Sequence, residues 1–234
     1  MARTPIEPPA CRWEMPDLAS AAQEQELIGI GADLAPGTMV AAYRAGLFPM
    51  GVQLPDGDEA LGWWSPNPRG ILRPTQVHVS RSLRRSLATF DYSTDLAFTD
   101  VVAACGDPGR PHGWIDGRFL DAYAQLHELG WAHSVEVWRS TSLGERRLVG
   151  GLFGVQVGGL FAAESKFHRE TDASKAAVVE LCRRLSLDQF AEQRVIDVQW
   201  ATPHLQTLGV RPVDRAEYLA MLPHVLALPV VGFH

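Results

Sequence analysis

Two apolar runs that meet at a pair of glycines place the strongest constraint on how this chain folds. Residues 148–157 and 160–164 are largely apolar, and Gly158-Gly159 separates them. Glycine readily adopts the positive φ angles of a tight hairpin turn, and the flanking Val, Leu and Phe residues are compatible with strands. The segment therefore predicts a β-hairpin, and we expect helices elsewhere in the chain to pack on its sheet.

Helical and strand patterns surround this hairpin. Residues 117–129 carry Phe119, Tyr123 and Leu126 on one face, which predicts an amphipathic helix. Ser80 is a favourable cap for a basic helix at 81–88. Further helices are predicted at 36–45, 97–105, 173–185 (capped by Thr171 or Asp172) and 214–222 (capped by Asp214), and strands at 133–139 and 195–200. This order favours an α+β (mixed α/β) fold.

The composition is that of an ordinary globular protein. Hydrophobic residues make up 46% of the chain and charged residues 21%, and no apolar run reaches the roughly 18 to 20 residues of a membrane helix. Residues 1–16 hold no apolar stretch typical of a secretory signal. Three well-separated cysteines form no CxxC pair, so we expect a reduced, cytoplasmic setting.

The charge is unevenly distributed. The net charge is −6, yet residues 60–90 contain no Asp or Glu and five arginines: Arg69, Arg73, Arg81, Arg84 and Arg85. A local basic surface on an acidic protein can bind a phosphate backbone selectively. A solvated helix face with ordinary surface arginines explains the same pattern, and both interpretations stay open on the residues alone.

Three polar side chains interrupt apolar strands and are candidates for chemistry. Alternation along the strand at 195–200 places Asp197 and Gln199 on one face, and Glu164 ends the apolar run of the hairpin. Each is either part of a solvated sheet face or part of a site. The eight histidines form no HxH or HExxH pattern, and no GxxxxGK[ST] or GxGxxG is present, so we expect no metal and no phosphate-binding loop.

An ordered set of short motifs resembles the leucyl/phenylalanyl-tRNA–protein transferase family. The motifs are YRAGLFP (43–49), WWSPNPR (63–69), SRSLRR (80–85), GWI (113–115), LVGGLFGV (148–155), ES (164–165) and ASK (173–175), followed by Asp197, Gln199 and Leu208-Gly209. The resemblance runs from Ile28 to Leu219. It implies a small N-terminal domain (1–67) and a larger catalytic domain (68–234) similar to the GNAT acyltransferase fold.

The resemblance also implies an activity. Members move Leu or Phe, sometimes Met, from aminoacyl-tRNA to proteins that begin with Arg or Lys, which marks the acceptor for degradation. The donor ester is already activated, so we expect no cofactor, neither ATP nor CoA. An acyl-CoA-dependent N-acetyltransferase is the alternative on the same fold, but residues 167–174 contain no glycine for a pyrophosphate turn. A non-enzymatic RNA-binding module would leave the three polar side chains without a role.

The motifs carry residue roles with them. Asp197 and Gln199 match the residues assigned to chemistry and Glu164 an acidic residue near the amine, where we expect the Asp197 carboxylate to face the reaction. Trp114 and Met50 match the site of the tRNA 3′ adenosine. The amino-acid pocket corresponds to Leu152, Val178, Leu181, Leu185 and Ile196. From their charge we assign Arg69, Arg81, Arg84 and Arg85 to the tRNA backbone.

Four positions depart from the family pattern. Val198 replaces a Cys between Asp197 and Gln199, on the opposite face of the strand, and we expect this change to have no effect. Met50 stands where a Trp is common, and a methionine packs on a base more weakly. Lys166 replaces a Met that lines the pocket, so a cation lies where an apolar side chain is usual. Asp172 replaces a frequent Asn before the ASK motif.

Overall fold

The computed structural model of the chain describes residues 4–109, 113–140 and 144–233. Helices and strands are mixed along these ranges, which confirms the α+β class. The helices are α1 (Pro36–Arg44), α2 (Arg81–Leu87), α3 (Phe98–Cys105), α4 (Gly117–Glu128), α5 (Ala173–Leu185), α6 (Pro203–Gln206) and α7 (Arg215–Leu226). Within the described ranges, no helix is both long enough and apolar enough to cross a bilayer.

The strands form two sheets. The smaller sheet has the order β1-β3-β2, with β1 (Leu27–Ile30), β2 (Phe48–Gln53) and β3 (Glu59–Trp64). The larger has the order β10-β4-β9-β8-β7-β6-β5, with β4 (Arg69–Leu72), β5 (Asp91–Thr94), β6 (Ala132–Ser140), β7 (Arg146–Val157), β8 (Leu160–His168), β9 (Val195–Gln199) and β10 (Arg211–Val213). Neighbouring strands are antiparallel except β8 and β9, which are parallel and are joined through α5.

Local signals placed most of the helices correctly. The Ser80 side chain accepts a hydrogen bond from the backbone of Leu83 and caps α2, as predicted. Asp116 caps α4 by accepting from Arg118 and Phe119. Gly46 follows α1 with φ +84°, the left-handed conformation that glycine adopts most easily. The predicted hairpin is present as β7 and β8.

Other elements differ from their predictions. Strand β8 continues four residues past Glu164, because Lys166 and Phe167 pair with Leu152 and Gly151 of β7. Helix α7 continues through Pro223 to Leu226, since Val225 packs in the core. Asp172 and Asp214 occupy the N-cap positions of α5 and α7 but make no side-chain capping bond.

Helices cover both faces of the larger sheet. One buried cluster combines α1, α3 and α4 with β2, Trp63 and Phe153. A second combines α5 with the opposite face, through Val178, Leu181 and Leu152. Because the first cluster contains residues from both sides of position 67, the division of the chain at that point stays a prediction, as does the likeness to GNAT.

A bulge between β7 and β8 sets the position of Glu164. Phe153 pairs with Ser165 and Gly154 pairs with Ala163, so Glu164 is an extra residue in β8. A bulge of this kind turns a side chain away from the regular alternation. Gly154 permits the close approach, because a Cβ atom there would lie 2.1 Å from the Ala162 carbonyl oxygen.

We expect Gly154→Ala to lower the free energy of unfolding by about 1–3 kcal/mol, the usual cost of overpacking. Denaturant unfolding would measure it. Gly51→Ala in β2 is the matched control, since a Cβ atom there meets nothing within 4 Å, and it should change stability by no more than about 0.5 kcal/mol. Equal effects of the two substitutions would contradict the close approach.

Candidate active site

A cavity of about 340 Å³ opens beside the bulge, a size suited to a small ligand. Strands β2, β7, β8 and β9 and helices α5 and α6 contribute to it. The lining residues are Met50, Trp114, Leu152, Ala163, Glu164, Ser165, Lys166, Val178, Val198, Gln199, Trp200, Thr202 and Leu205. The cavity brings together residues that are up to 155 positions apart in the chain, from Met50 to Leu205.

One part of the cavity lining is aromatic. Trp114, Met50 and Trp200 line the cavity and pack against the first buried cluster, so both residues predicted for the 3′ adenosine lie in this part, which we call the aromatic end. The Trp114 ring packs edge-on against Phe119 and Tyr123, with centroid distances of 5.0 and 6.4 Å. Helix α4 thus fixes the orientation of Trp114 and leaves it partly exposed for stacking.

Another part of the lining, which we call the apolar end, belongs to the second buried cluster. It consists of Leu152, Val178, Ala163, Val198 and Leu205. The remaining residues predicted for the amino-acid pocket do not reach the cavity: Leu181, Leu185 and Ile196 are fully buried behind it. They pack in the same cluster as Leu152 and Val178, so they support the wall of the cavity instead of forming it.

Glu164 is a buried carboxyl group with incomplete hydrogen bonding. Its side chain is 8% exposed, and the Tyr123 hydroxyl donates to Oε2 at 2.8 Å. The hydroxyls of Tyr43 and Tyr123 are 3.2 Å apart. Oε1 has no hydrogen-bond partner among the described residues. Burial raises the pKa of Glu164 to about 8, although the tyrosine hydroxyls and Arg69 oppose the shift.

Asp197 has the opposite environment. It is 1% exposed, and its carboxylate accepts from Arg69 Nε and Nη2 at 2.9 and 2.6 Å, from the Tyr218 hydroxyl at 2.8 Å and from the Gln199 backbone at 2.9 Å. Four donors fill both oxygens. The expectation that this carboxylate faces the reaction is therefore wrong: Asp197 lies in a buried ion pair outside the cavity lining.

Gln199 reaches the cavity because its backbone leaves the strand conformation. Its φ of +61° is left-handed, and the bond from its N–H to Asp197 Oδ1 holds it there. The regular alternation predicted for Asp197 and Gln199 consequently fails. With the amide oriented to satisfy its neighbours, Nε2 donates to the carbonyls of Ala163 and Val198 at 3.0 Å each.

The four arginines that we assigned to the tRNA backbone separate into two groups. Arg81, Arg84 and Arg85 are exposed on α2, where phosphates can reach them. Arg69 is 1% exposed and fully engaged with Asp197 and the Gly46 carbonyl. Its assignment to the tRNA backbone is therefore corrected, because a guanidinium buried in the core cannot contact a phosphate outside.

Comparison with known proteins identifies the family. A model of the leucyl/phenylalanyl-tRNA protein transferase family matches residues 71–223, and the model of its N-terminal domain matches residues 32–67. The chain belongs to this family. A leucyl/phenylalanyl-tRNA–protein transferase of Oleidesulfovibrio alaskensis is 45% identical over 94% of the chain and 87% of its own length. Those of Tolumonas auensis and Thiobacillus denitrificans are 46% and 43% identical, over 84% and 87% of the chain and 80% and 86% of their own lengths.

Membership of the leucyl/phenylalanyl-tRNA–protein transferase family makes the chain an enzyme of aminoacyl transfer. Sequence reasoning did not identify Tyr43, Tyr123, Tyr218 and Trp200 as parts of its site. In the sequence, Tyr43 stood out only as part of the motif at 43–49, and Tyr123 only as part of the apolar face of the predicted helix at 117–129. Among the described residues, no group of three His, Cys, Asp or Glu side chains is placed to hold a metal ion.

The raised pKa of Glu164 predicts how stability changes with pH. The folded protein keeps a proton that the unfolded chain releases above pH 4.5, the ordinary pKa of the group. Its contribution to stability is thus complete below pH 4.5 and is lost as the pH rises through about 8. We expect Glu164→Gln to remove this loss, measured by denaturant unfolding between pH 4 and 9. Asp100→Asn, at an exposed carboxyl group, should leave the slope unchanged; the same slope in Glu164→Gln would contradict the assignment.

The buried ion pair predicts a stability cost for Asp197→Ala. Removing the carboxylate leaves the Arg69 charge buried and unpaired, which costs about 3–5 kcal/mol. Replacing both partners, as Arg69→Met with Asp197→Leu, should cost less than either single substitution. The free energies of unfolding of Arg69→Met, Asp197→Leu and the double variant, each relative to the unmodified protein, measure the coupling, and additive effects would show that the pair is not coupled.

Proposed function

We propose that this protein transfers Leu or Phe, with Met as a further donor residue, from aminoacyl-tRNA to the N-terminal Arg or Lys of acceptor proteins. The relatives carry that activity in their names as far as the leucyl and phenylalanyl tRNA donors and a protein acceptor. One observation carries the proposal: a buried carboxyl group, one oxygen of which has no partner among the described residues, lines the same cavity as an apolar and an aromatic group of side chains.

The cavity accommodates the parts of such a donor in order. The apolar end at Leu152 and Val178 suits a leucine or phenylalanine side chain. The aromatic end at Trp114, Met50 and Trp200 suits the terminal adenine, since an aromatic ring that stacks on a base contributes about 1–3 kcal/mol. The ester that joins them then lies between the two ends, near Glu164 and Gln199.

The chemistry requires one proton transfer and no cofactor. The acceptor nitrogen attacks the ester carbonyl carbon, the bond from that carbon to the ribose oxygen breaks, and an amide forms. The amine loses a proton and the ribose oxygen gains one. The pKa of Glu164, about 8, is close to that of an α-amino group, about 8, so Glu164 can accept the first proton and return it to the leaving oxygen at little cost.

Gln199 and Asp197 have supporting roles in this proposal. Gln199 is held at the cavity wall and orients the amine or the ester, and its amide is too weakly basic to remove a proton. Asp197 acts through Gln199, whose backbone it fixes. Holding both substrates in register contributes a large part of the rate enhancement, as it does in intramolecular reactions.

Two further parts of the proposal concern the whole chain. Residues 1–67 form the small domain and residues 68–234 the GNAT-like catalytic domain, and the protein acts in the cytoplasm on proteins destined for degradation. An acyl-CoA-dependent acetyltransferase is the weaker alternative. The residue before α5 is Asp172, and its carboxylate would repel a pyrophosphate at that helix terminus.

A transfer assay tests the proposal. Radiolabelled Leu-tRNA and Phe-tRNA, with a peptide that begins with Arg and without ATP or CoA, should give labelled peptide. A peptide that differs only in beginning with Asp is the control. We expect Glu164→Gln to lower turnover by roughly 10²- to 10⁴-fold, the range typical of general acid–base groups, and Asp100→Asn to leave turnover unchanged. Absence of label from both donors would refute the function, and near-normal turnover of Glu164→Gln would refute the role of Glu164 alone.

A further inference from the structure

The chain has only two lysines, Lys166 and Lys175, against nineteen arginines. Both lie on the same side of the molecule. Lys166 lines the cavity described above, and Lys175 stands in the first turn of α5, which forms one wall of that cavity through Val178. Such a distribution concentrates the compact, strongly hydrated ammonium groups of the protein at one place.

Two histidines complete this group. His168 is the exposed last residue of β8, two positions beyond Lys166. His204 is exposed on α6, between Thr202 and Leu205, which both line the cavity. Partial burial and the neighbouring Lys175, Lys166 and His168 lower the pKa of His204, whereas Asp172 opposes the shift. We call Lys166, His168, Lys175 and His204 the cationic rim. Its charge comes from the lysines, because the lowered pKa of His204 favours the neutral imidazole, which still offers a hydrogen bond.

The rim connects the cavity to the exposed arginines of α2. Helix α2 packs against the start of α5, where the Ser86 hydroxyl donates to Asp172 Oδ2 at 2.9 Å. Lys175 also lines a neighbouring cavity together with Ser80 and Leu83 of α2. Helix α2, which carries the exposed Arg84 and Arg85, thus adjoins the start of α5 beside the rim.

Three acidic groups lie near the rim. Asp172 is 3.7 Å from Lys175, Glu164 lines the cavity together with Lys166, and Glu170 pairs with Arg139 and Arg147.

We propose that the cationic rim binds the phosphodiester backbone of the last nucleotides of the donor RNA. The inference rests on the proposed function. A strand whose terminal adenine stacks at Trp114 must leave the cavity past its rim, and each lysine ammonium provides a point charge for a phosphate. The arginines of α2 then contact phosphates farther from the 3′ end.

Donors of increasing length separate these contacts. Aminoacyl-adenosine has no phosphate, an aminoacyl trinucleotide ending in CCA has the linkages near the rim, and full-length aminoacyl-tRNA reaches α2. We expect Lys166→Gln to lower kcat/KM about tenfold for the trinucleotide and for tRNA, as expected for one lost charge-assisted contact, and to leave aminoacyl-adenosine unaffected. Arg84→Ala/Arg85→Ala should impair full-length tRNA alone. For donor binding, each lost phosphate contact should reduce the steepness of log K against log salt concentration by about 0.7.

Controls make the result interpretable. Arg12→Gln removes an exposed cation that pairs with Asp33, lies apart from the cavity, and should leave all three donors unaffected. His204→Gln should follow the pattern of Lys166→Gln more weakly, and thermal unfolding checks that each variant folds. If Lys166→Gln lowered kcat/KM for aminoacyl-adenosine as much as for the longer donors, Lys166 would belong to the amino-acid pocket. If it lowered kcat/KM for none of the donors, the rim would not contribute to binding. Either result overturns the proposal.

Failure of the proposed function would be recognisable separately. If the unmodified protein transferred no amino acid from any donor, binding of a fluorescent, uncharged CCA trinucleotide would still test the rim. Weaker binding by Lys166→Gln than by Arg12→Gln supports it, and equal binding refutes it.

Discussion

A single buried ion pair joins the parts of this protein that form the cavity. Arg69 of β4 and Asp197 of β9 are 128 residues apart in sequence, and two hydrogen bonds connect them. The Arg69 guanidinium also contacts the Gly46 carbonyl and lies over the rings of Phe48 and Tyr218, at 5.0 and 4.7 Å. Buried charges are costly unless their hydrogen bonds are complete. Here that requirement fixes the smaller sheet, the larger sheet and α7 relative to one another.

The two buried acids near the cavity illustrate how environment assigns a role to a side chain. Asp197 has four donors and a full positive charge beside it, so it stays where the fold needs it and its oxygens are occupied. Glu164 has a phenol hydroxyl on one oxygen and nothing on the other among the described residues. Similar chemistry in different surroundings thus gives one structural anchor and one group that is free to exchange a proton.

Sequence patterns predicted the local structure better than the contacts between distant segments. Periodicity and capping residues gave α2, α4 and the β7–β8 hairpin, because those signals act within a few positions. The pairing of β4 with β9 left no such signal, so nothing marked Arg69 as the partner of Asp197, and counting charges could not show that it is buried. The left-handed backbone of Gln199 is held by a hydrogen bond to the Asp197 side chain two residues earlier, and the alternation of residue types does not reveal this turn of the backbone, which is why simple alternation failed there.

The location of Lys166 raises a question of chemical selectivity. An enzyme that joins an activated ester to a primary amine would have a second primary amine in its own reaction cavity. An ammonium group has no lone pair and cannot attack an ester, so its proton protects the enzyme from acylating itself. A phosphate bound beside Lys166 would pair with this positive charge while the ester is present. Lys166 would then bind the donor RNA without competing with the acceptor amine for the ester.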